Sequence, residues 1–429
     1  MKHWYSEWKD FFFLWFGQSI SQLGSRMTAF ALVLWSYERA QTVTSVAVLA
    51  LCSYLPEMLF TFLGGSVADR VSRKAVMFLS DFTAALGTLT LLLVMRADAL
   101  EVWHLYAANL LVGMTNAFQS PASNAALSQI VPPRHYSRAS GMQSFSTAAN
   151  TLVCPALASA VMAFGGLEWV LLIDLTSFLV GTGMLLALVH IPRTAQAEKV
   201  ARGGTMDGFR FLRLERPALL RLILFFTFVN LLASMSGNGL MPAMILARTG
   251  GDELAVGTVS SFIGLGTLMG SVLATVLPRP RRPLRLVFFS CAVSFLLCDC
   301  LWALGRGVEI WAFAALAGNL PLPLLNANLT TLLRTSVPMD RQGRVFAAQG
   351  ALQFCSIPLG YLMGGLLSDY LAEPFMRAGG PVAERLVPLV GSGAGSGMAL
   401  LFLLVGLLGA VSSFAQIKKR AYIPLEKEF

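Results

Sequence analysis

The chain has 429 residues, 55% hydrophobic and 13% charged, with a formal net charge of +9 and a mean hydropathy of +0.66. Soluble domains carry about 25% charged residues, so this composition excludes an ordinary soluble protein and points to a chain that crosses a membrane many times. No phosphate-binding loop, nucleophile elbow or zinc motif is present, the four histidines are scattered, and the six cysteines sit singly in apolar runs as small packing residues, which argues against an enzyme, an ATPase or a metal site.

Met1–Asp10 is polar and no small-residue cleavage site follows, so the first apolar run reads as a first membrane helix. Twelve apolar spans follow in chain order: 11–38, 44–68, 75–95, 103–130, 140–164, 167–190, 218–244, 254–277, 285–305, 309–335, 344–372 and 397–417. Twelve is even, so both termini share one side. That side holds 25 of the 32 lysines and arginines against 6 opposite, with Arg26 in mid-span, which makes the termini cytoplasmic. The expected fold is an all-α membrane protein of twelve transmembrane helices in two six-helix halves. The basic surface is thereby explained by topology and needs no nucleic-acid partner.

The longest cytoplasmic connection is 191–217, where Phe209, Phe211, Leu212 and Leu214 alternate with Arg210, Arg213 and Arg216. It reads either as a short amphipathic helix on the membrane surface or as a solvated linker. It divides the chain into 1–190 and 218–429, and a faint repeat connects these halves. Val131-Pro132 recurs as Val337-Pro338 at an offset of 206, where Arg138 also matches Arg344 and Gln143 matches Gln349. Gly65 and Gly270 lie 205 apart. Parallel repeats of this kind build one large class of transporters.

Between the second and third spans runs Gly65-x-x-x-Asp69-Arg70-x-Ser72-Arg73-Lys74. It resembles the signature loop of the major facilitator superfamily, G-x-x-x-D-R/K-x-G-R/K-R/K, with Ser72 where glycine is usual. Glycine permits close helix approach, and Asp69 is placed to accept from a helix N-terminus or to pair with a basic residue. Arg70, Arg73 and Lys74 suit an anionic inner leaflet. The resemblance implies that the loop latches the outward-facing state; a plain positive-inside loop is the alternative. In the second half Gly270 is kept, Ala274 stands where an acid would, and "PRPRRP" (278–283) follows.

The segments "LWFGQSISQLGSRMTAFAL" (14–32), "VMFLSD" (76–81), "LLIDLTSFLVG" (171–181) and "VPMDRQGRVFAAQGALQFCSIPLGYLMGGLLSD" (337–369) resemble the macrolide-efflux and siderophore-exporter branch of that superfamily. The resemblance implies a bacterial plasma-membrane exporter driven by proton antiport. Helix 5 is a degraded match to the G-x-x-x-G-P-x-x-G-G pattern of exporters: around Pro155, Asn150, Cys154, Ala158 and Ser159 replace the glycines. It reads as that motif or as ordinary small-residue packing.

Ionisable residues at bilayer depth are functional candidates. Arg26 lies in the first span with Gln18, Gln22 and Ser25 at helical spacing around it, and Glu57 follows Pro56 in the second. Their depths differ by ~6 Å at 1.5 Å per residue. The expectation is that Glu57 is the protonatable carboxylate and Arg26 its charge partner or a substrate contact; a static ion pair, or a Glu57 facing a headgroup defect, is the alternative. Asp174 and Asp299 are further candidates, and Asp81 is expected to support the 64–74 loop. Phe30, Trp35, Tyr54, Phe118 and Phe145 either line an apolar cavity or simply pack.

The function these residues imply is secondary active export of small amphipathic molecules, macrolide-like drugs or siderophores, by alternating access. Its partners are a small-molecule substrate, protons and membrane lipids, with no cofactor or metal, and the protein acts as a monomer. A lysolipid or lipid flippase of the same fold and a non-transporting substrate sensor are the alternatives.

Overall fold

A computed structural model describes the backbone of all residues except 1, 132–135, 192–204, 238, 278–279, 281, 418, 420–421 and 423–429. Side chains are described for the same residues less 2–8, 62–70, 128, 136–138, 140, 205–208, 339–340, 343, 347 and 354. Among the described residues there is no strand. The chain divides into two compact units, one of residues 1–41 and 48–199 and one of residues 42–47 and 200–429.

The first unit is built from α1 (Lys2–Ala40), most of α2 (Val43–Arg70), α3 (Arg73–Arg96), α4 (Val102–Ile130) and α5 (Tyr136–Leu188). The second holds α6 (Thr205–Leu214), α7 (Pro217–Ser236), α8 (Leu240–Thr249), α9 (Glu253–Val276), α10 (Pro283–Phe295), α11 (Leu301–Leu304), α12 (Val308–Asn319), α13 (Leu322–Ser336), α14 (Met339–Leu367), α15 (Glu373–Ala378), α16 (Pro381–Val390) and α17 (Ser396–Ile417). Single π turns, Leu296–Cys300 and Ser368–Ala372, join α10 to α11 and α14 to α15.

Among the described residues nine helical stretches are long and apolar enough to cross a membrane, against the twelve spans expected. The difference has physical causes. The expected spans 140–164 and 167–190 run on as one 53-residue helix that turns at Gly166, whose φ of 68° only glycine adopts without strain. α1 and α4 have ample length, at 39 and 29 residues, but carry stripes of Gln, Ser and Asn that lower their hydropathy. The expected spans 218–244 and 309–335 each remain one crossing stretch, though the first is divided into α7 and α8 and the second into α12 and α13 beside Pro321. The linker residues 205–214 are helical, which favours the amphipathic-helix reading of that segment over the plain linker.

Helices in a membrane gain little from hydrophobic driving force and pack through small residues that let backbones approach. Gly266 and Gly270, one turn apart on α9, do this against α12: an added methyl would strike the Leu316 carbonyl at one and the Leu320 carbonyl at the other. Polar ends are closed locally. The Asp252 carboxylate caps α9 by accepting from the Leu254 and Ala255 N–H groups at 2.9 and 3.2 Å. Lys74 Nζ donates to the Leu186 and Val189 carbonyls at 2.9 Å, where α5 ends, and Arg73 Nη1 donates to the Ala125 carbonyl of α4 at 3.2 Å.

Gly266→Leu is therefore expected to cost about 1–3 kcal/mol by overpacking, lowering the thermal midpoint in detergent. Gly183→Ala, whose added methyl meets no neighbour, should leave the midpoint unchanged or raise it.

Candidate functional site

All five helices of the first unit contribute to a cavity of about 420 Å³. Most of the side chains lining it are polar. On α1 the stripe is Gln18, Ser21, Gln22, Ser25 and Arg26, at steps of three and four. On α4 it is Asn109, Asn116, Gln119, Ser120, Ser123 and Asn124.

Two carboxylates organise this wall, Asp81 half-buried and Asp174 buried. Asp81 of α3 accepts from Gln18 Nε2 at 3.1 Å and from Gln119 Nε2 at 3.0 Å, and Gln119 Nε2 also donates to Gln18 Oε1 at 3.1 Å. The triangle ties α1, α3 and α4 together. Asp174, on the second arm of α5, accepts from Ser25 Oγ at 3.0 Å and from Thr88 Oγ1 at 2.9 Å, tying α1, α3 and α5. Gln18 and Ser25 are seven residues apart, as are Asp81 and Thr88. Seven residues are two turns, so the two carboxylate layers lie ~10 Å apart along α1 and α3. Only close helix contact allows the second layer: a methyl at Gly24 would run into Ser177 Oγ and the Asp174 backbone.

Glu57 and Arg26 both line the cavity, and among the described residues no ion pair joins them. Gln22 lines it too. Asp81, expected to support the 64–74 loop, lines the cavity. Of the aromatic candidates none lines the cavity; Phe178 does, and Phe118 packs into the apolar cluster of Leu14, Met77 and Leu185. Asp299 belongs to the second unit, buried in its π turn with Oδ1 lacking a hydrogen-bond partner. Around Pro155 the helix continues, with Cys154 Sγ donating to the Leu23 carbonyl at 3.7 Å and Ala158 and Ser159 fully buried. Gly65, Asp69 and Arg70 lie outside the residues whose side chains are described. Ser72 has φ −55°, so the glycine of the family pattern is not needed there for backbone freedom.

Sequence reasoning missed Gln119 and Thr88. For Gln119 the signal was available: polar residues at 116, 119, 120, 123 and 124 of an otherwise apolar helix repeat at helical spacing and mark a face turned from lipid. A lone Thr88 carries no such signal, since threonine in a membrane helix ordinarily bonds its own preceding turn.

A family model described as the Major Facilitator Superfamily matches residues 14–361. The chain belongs to that superfamily. Among its relatives, macrolide efflux protein A of Streptococcus pyogenes is 22% identical over 373 residues, covering 85% of this chain and 91% of that protein. The enterobactin exporter EntS of Shigella flexneri is 25% identical over 305 residues, covering 71% of this chain and 72% of that protein. Among solved structures, a D-xylose-proton symporter superposes with a TM-score of 0.68 at 12% identity, covering 98% of this chain and 99% of that one, and so shares the fold. The protein is thus a multi-pass facilitator of the kind that moves small molecules, and its N-terminal unit encloses the polar cavity just described.

The Asp81 triangle should behave as one unit. In a double-mutant cycle of Asp81→Asn and Gln119→Leu, thermal unfolding in detergent is expected to show a coupling of about 0.5–3 kcal/mol. Strict additivity would mean that the triangle is not a unit.

Proposed function

We propose that this facilitator exports small amphipathic molecules, macrolide-like drugs or siderophores, from the bacterial cytoplasm in exchange for protons. The two halves, 1–190 and 218–429, alternate access about the linker 191–217, and both termini are cytoplasmic. The observation that carries this reading is the cavity itself, where Glu57, Asp81 and Asp174 share one wall with Arg26. The efflux relatives support the direction of transport, and the lysine and arginine distribution supports the orientation.

The chemistry follows from the hydrogen bonds. When Asp81 is ionised, both carboxamides donate to it. When it is protonated, its hydroxyl needs an acceptor. Gln119 Oε1 is buried without a partner, and a rotation of that carboxamide supplies one. The triangle therefore accommodates both states, as a proton-exchanging group must. Ser25 and Thr88 offer Asp174 the same latitude, because a hydroxyl both donates and accepts. Glu57 faces the same cavity and exchanges its proton against substrate. Arg26, Gln18 and Gln22 contact polar groups of the substrate, and Phe178 its apolar body. Asp299 is the corresponding titrating group of the C-terminal half. Gly65, Asp69, Arg70, Arg73 and Lys74 gate the cytoplasmic side, and the small residues around Pro155 let α5 slide against α1.

A panel of macrolides and siderophores given to an efflux-deficient host tests this. Expression should raise tolerance to one amphipathic class, and an uncoupler should abolish the gain. In vesicles, Glu57→Gln and Asp81→Asn should each slow proton-coupled export at least about tenfold, ~1.4 kcal/mol of barrier. Arg26→Ala should mainly weaken substrate binding. Unchanged coupled transport in all three variants would refute the assignment.

A further inference from the structure

In the second unit, α15 and α16 form an excursion between two membrane-crossing stretches, Arg344–Ala378 and Ser396–Ile417. Its depth can be read from the neighbouring chain. The stretch Ser396–Ile417 is 22 residues long, or ~33 Å, close to the ~30 Å of a hydrocarbon core, so one edge of the core falls near Ser396. The start of α15 lies at the same level. Glu373 Oε1 accepts from the Met398 N–H at 3.2 Å, and a methyl at Gly397 would strike the Ala372 carbonyl. α15 has 6 residues, so it carries the chain at most ~9 Å past that edge before Gly379 and Gly380 end it.

Two arginines fasten the far end of α16 to the same edge. Arg306 follows closely on the stretch Pro283–Leu304, and its Nη2 donates to the Val387 and Pro388 carbonyls at 3.3 and 2.9 Å. Arg248 stands at the end of the stretch Pro217–Thr249. Its Nη2 donates to the Val390 carbonyl and its Nη1 to the Gly305 carbonyl at 3.0 Å. The guanidiniums thus satisfy carbonyls that the last turn of a helix leaves open. With both ends held there, α16 lies along the boundary between hydrocarbon and headgroups.

Its side chains divide to suit that place. α16 packs on α11 and α17, burying Ala383 and Val390, which are two turns apart on one side. Glu384 and Arg385 are exposed. Val382, Leu386 and Leu389, at steps of four and three, make a third, apolar face, on which Val382 is 60% and Leu389 46% exposed. Leu304 on α11 and Phe375 on α15, at the ends of crossing stretches on either side, are exposed as well. A bare apolar face at this depth, between lipid-facing side chains, meets acyl chains rather than water.

We propose that α16 is an interfacial helix, and that its face of Val382, Leu386 and Leu389 inserts among the acyl chains of the adjoining leaflet while Glu384 and Arg385 stay in water. Its partner is the phospholipid surface itself. Because Arg248 and Arg306 clasp the last turn of α16, the inserted helix also holds the ends of α8 and α11 at that surface. The inference depends neither on the transport reading nor on which leaflet this is.

Spin-label accessibility of the full chain in nanodiscs of phosphatidylethanolamine and phosphatidylglycerol tests this. A keto amino acid carrying an oxime-linked nitroxide replaces Val382, Glu384, Arg385 or Leu389, one position at a time, which leaves the native cysteines in place. All four side chains are exposed, so the label disturbs no packing. Oxygen concentrates in lipid and a nickel chelate stays in water. Labels at Val382 and Leu389 should be relaxed severalfold more by oxygen than by the chelate, and labels at Glu384 and Arg385 more by the chelate. Relaxation of all four by the chelate alike would place α16 in water and overturn the proposal. Shielding of Val382 and Leu389 from both reagents would mean that a second copy of the chain covers the face, which would overturn it equally.

Discussion

A polar side chain carried into a membrane-spanning helix has to find its partner on another helix, because hydrocarbon offers none. The first unit is arranged around that constraint. Asp81 and Asp174 each collect donors from two other helices, so α1, α3, α4 and α5 are joined by hydrogen bonds at two levels. The seven-residue spacing shared by α1 and α3 makes the two levels possible, since two turns return a residue to the same face. Satisfying the carboxylates and enclosing a polar cavity are one structural act: the stripes that serve Asp81 and Asp174 also leave Arg26, Glu57 and the asparagines of α4 facing the space between.

The second unit meets the same constraint differently. Its contacts rely on close approach, as where Gly266 and Gly270 admit the backbone beyond α12. Its buried acids are Glu373, which accepts from the Met398 N–H at 3.2 Å, and Asp299, which lies within a π turn. Such turns leave a carbonyl outside the regular ladder and recur at functional positions. The two units thus differ in chemistry, as the sequence does where Ala274 stands in place of an acid.

Basic residues at the turn between α2 and α3 also tie helices together. Lys74 donates to the Leu186 and Val189 carbonyls at the end of α5, and Arg73 to the Ala125 carbonyl of α4. A charge read from the sequence as a membrane anchor is thereby also a cap. Beside the linker, Arg341 pairs with Glu215 and lies over the face of Phe211.

By itself the sequence determined the class of the molecule, its superfamily and the positions of most helices. The hydrocarbon thickness sets how long an apolar run must be, and Asp252, Gly250 and the prolines mark where runs stop. The bounds of α3, α9 and α17 accordingly fall within two residues of the apolar runs at 75–95, 254–277 and 397–417. It also marked Glu57, Arg26, Gln18, Gln22 and Asp174 as costly residues for a bilayer. What it left open was which of them meet. That depends on each helix's rotation about its axis and on its choice of neighbour, which hydropathy does not encode. Only the tertiary structure decided that Asp81 belongs to the cavity with Gln18 and Gln119, and that Ser25 and Thr88 serve Asp174.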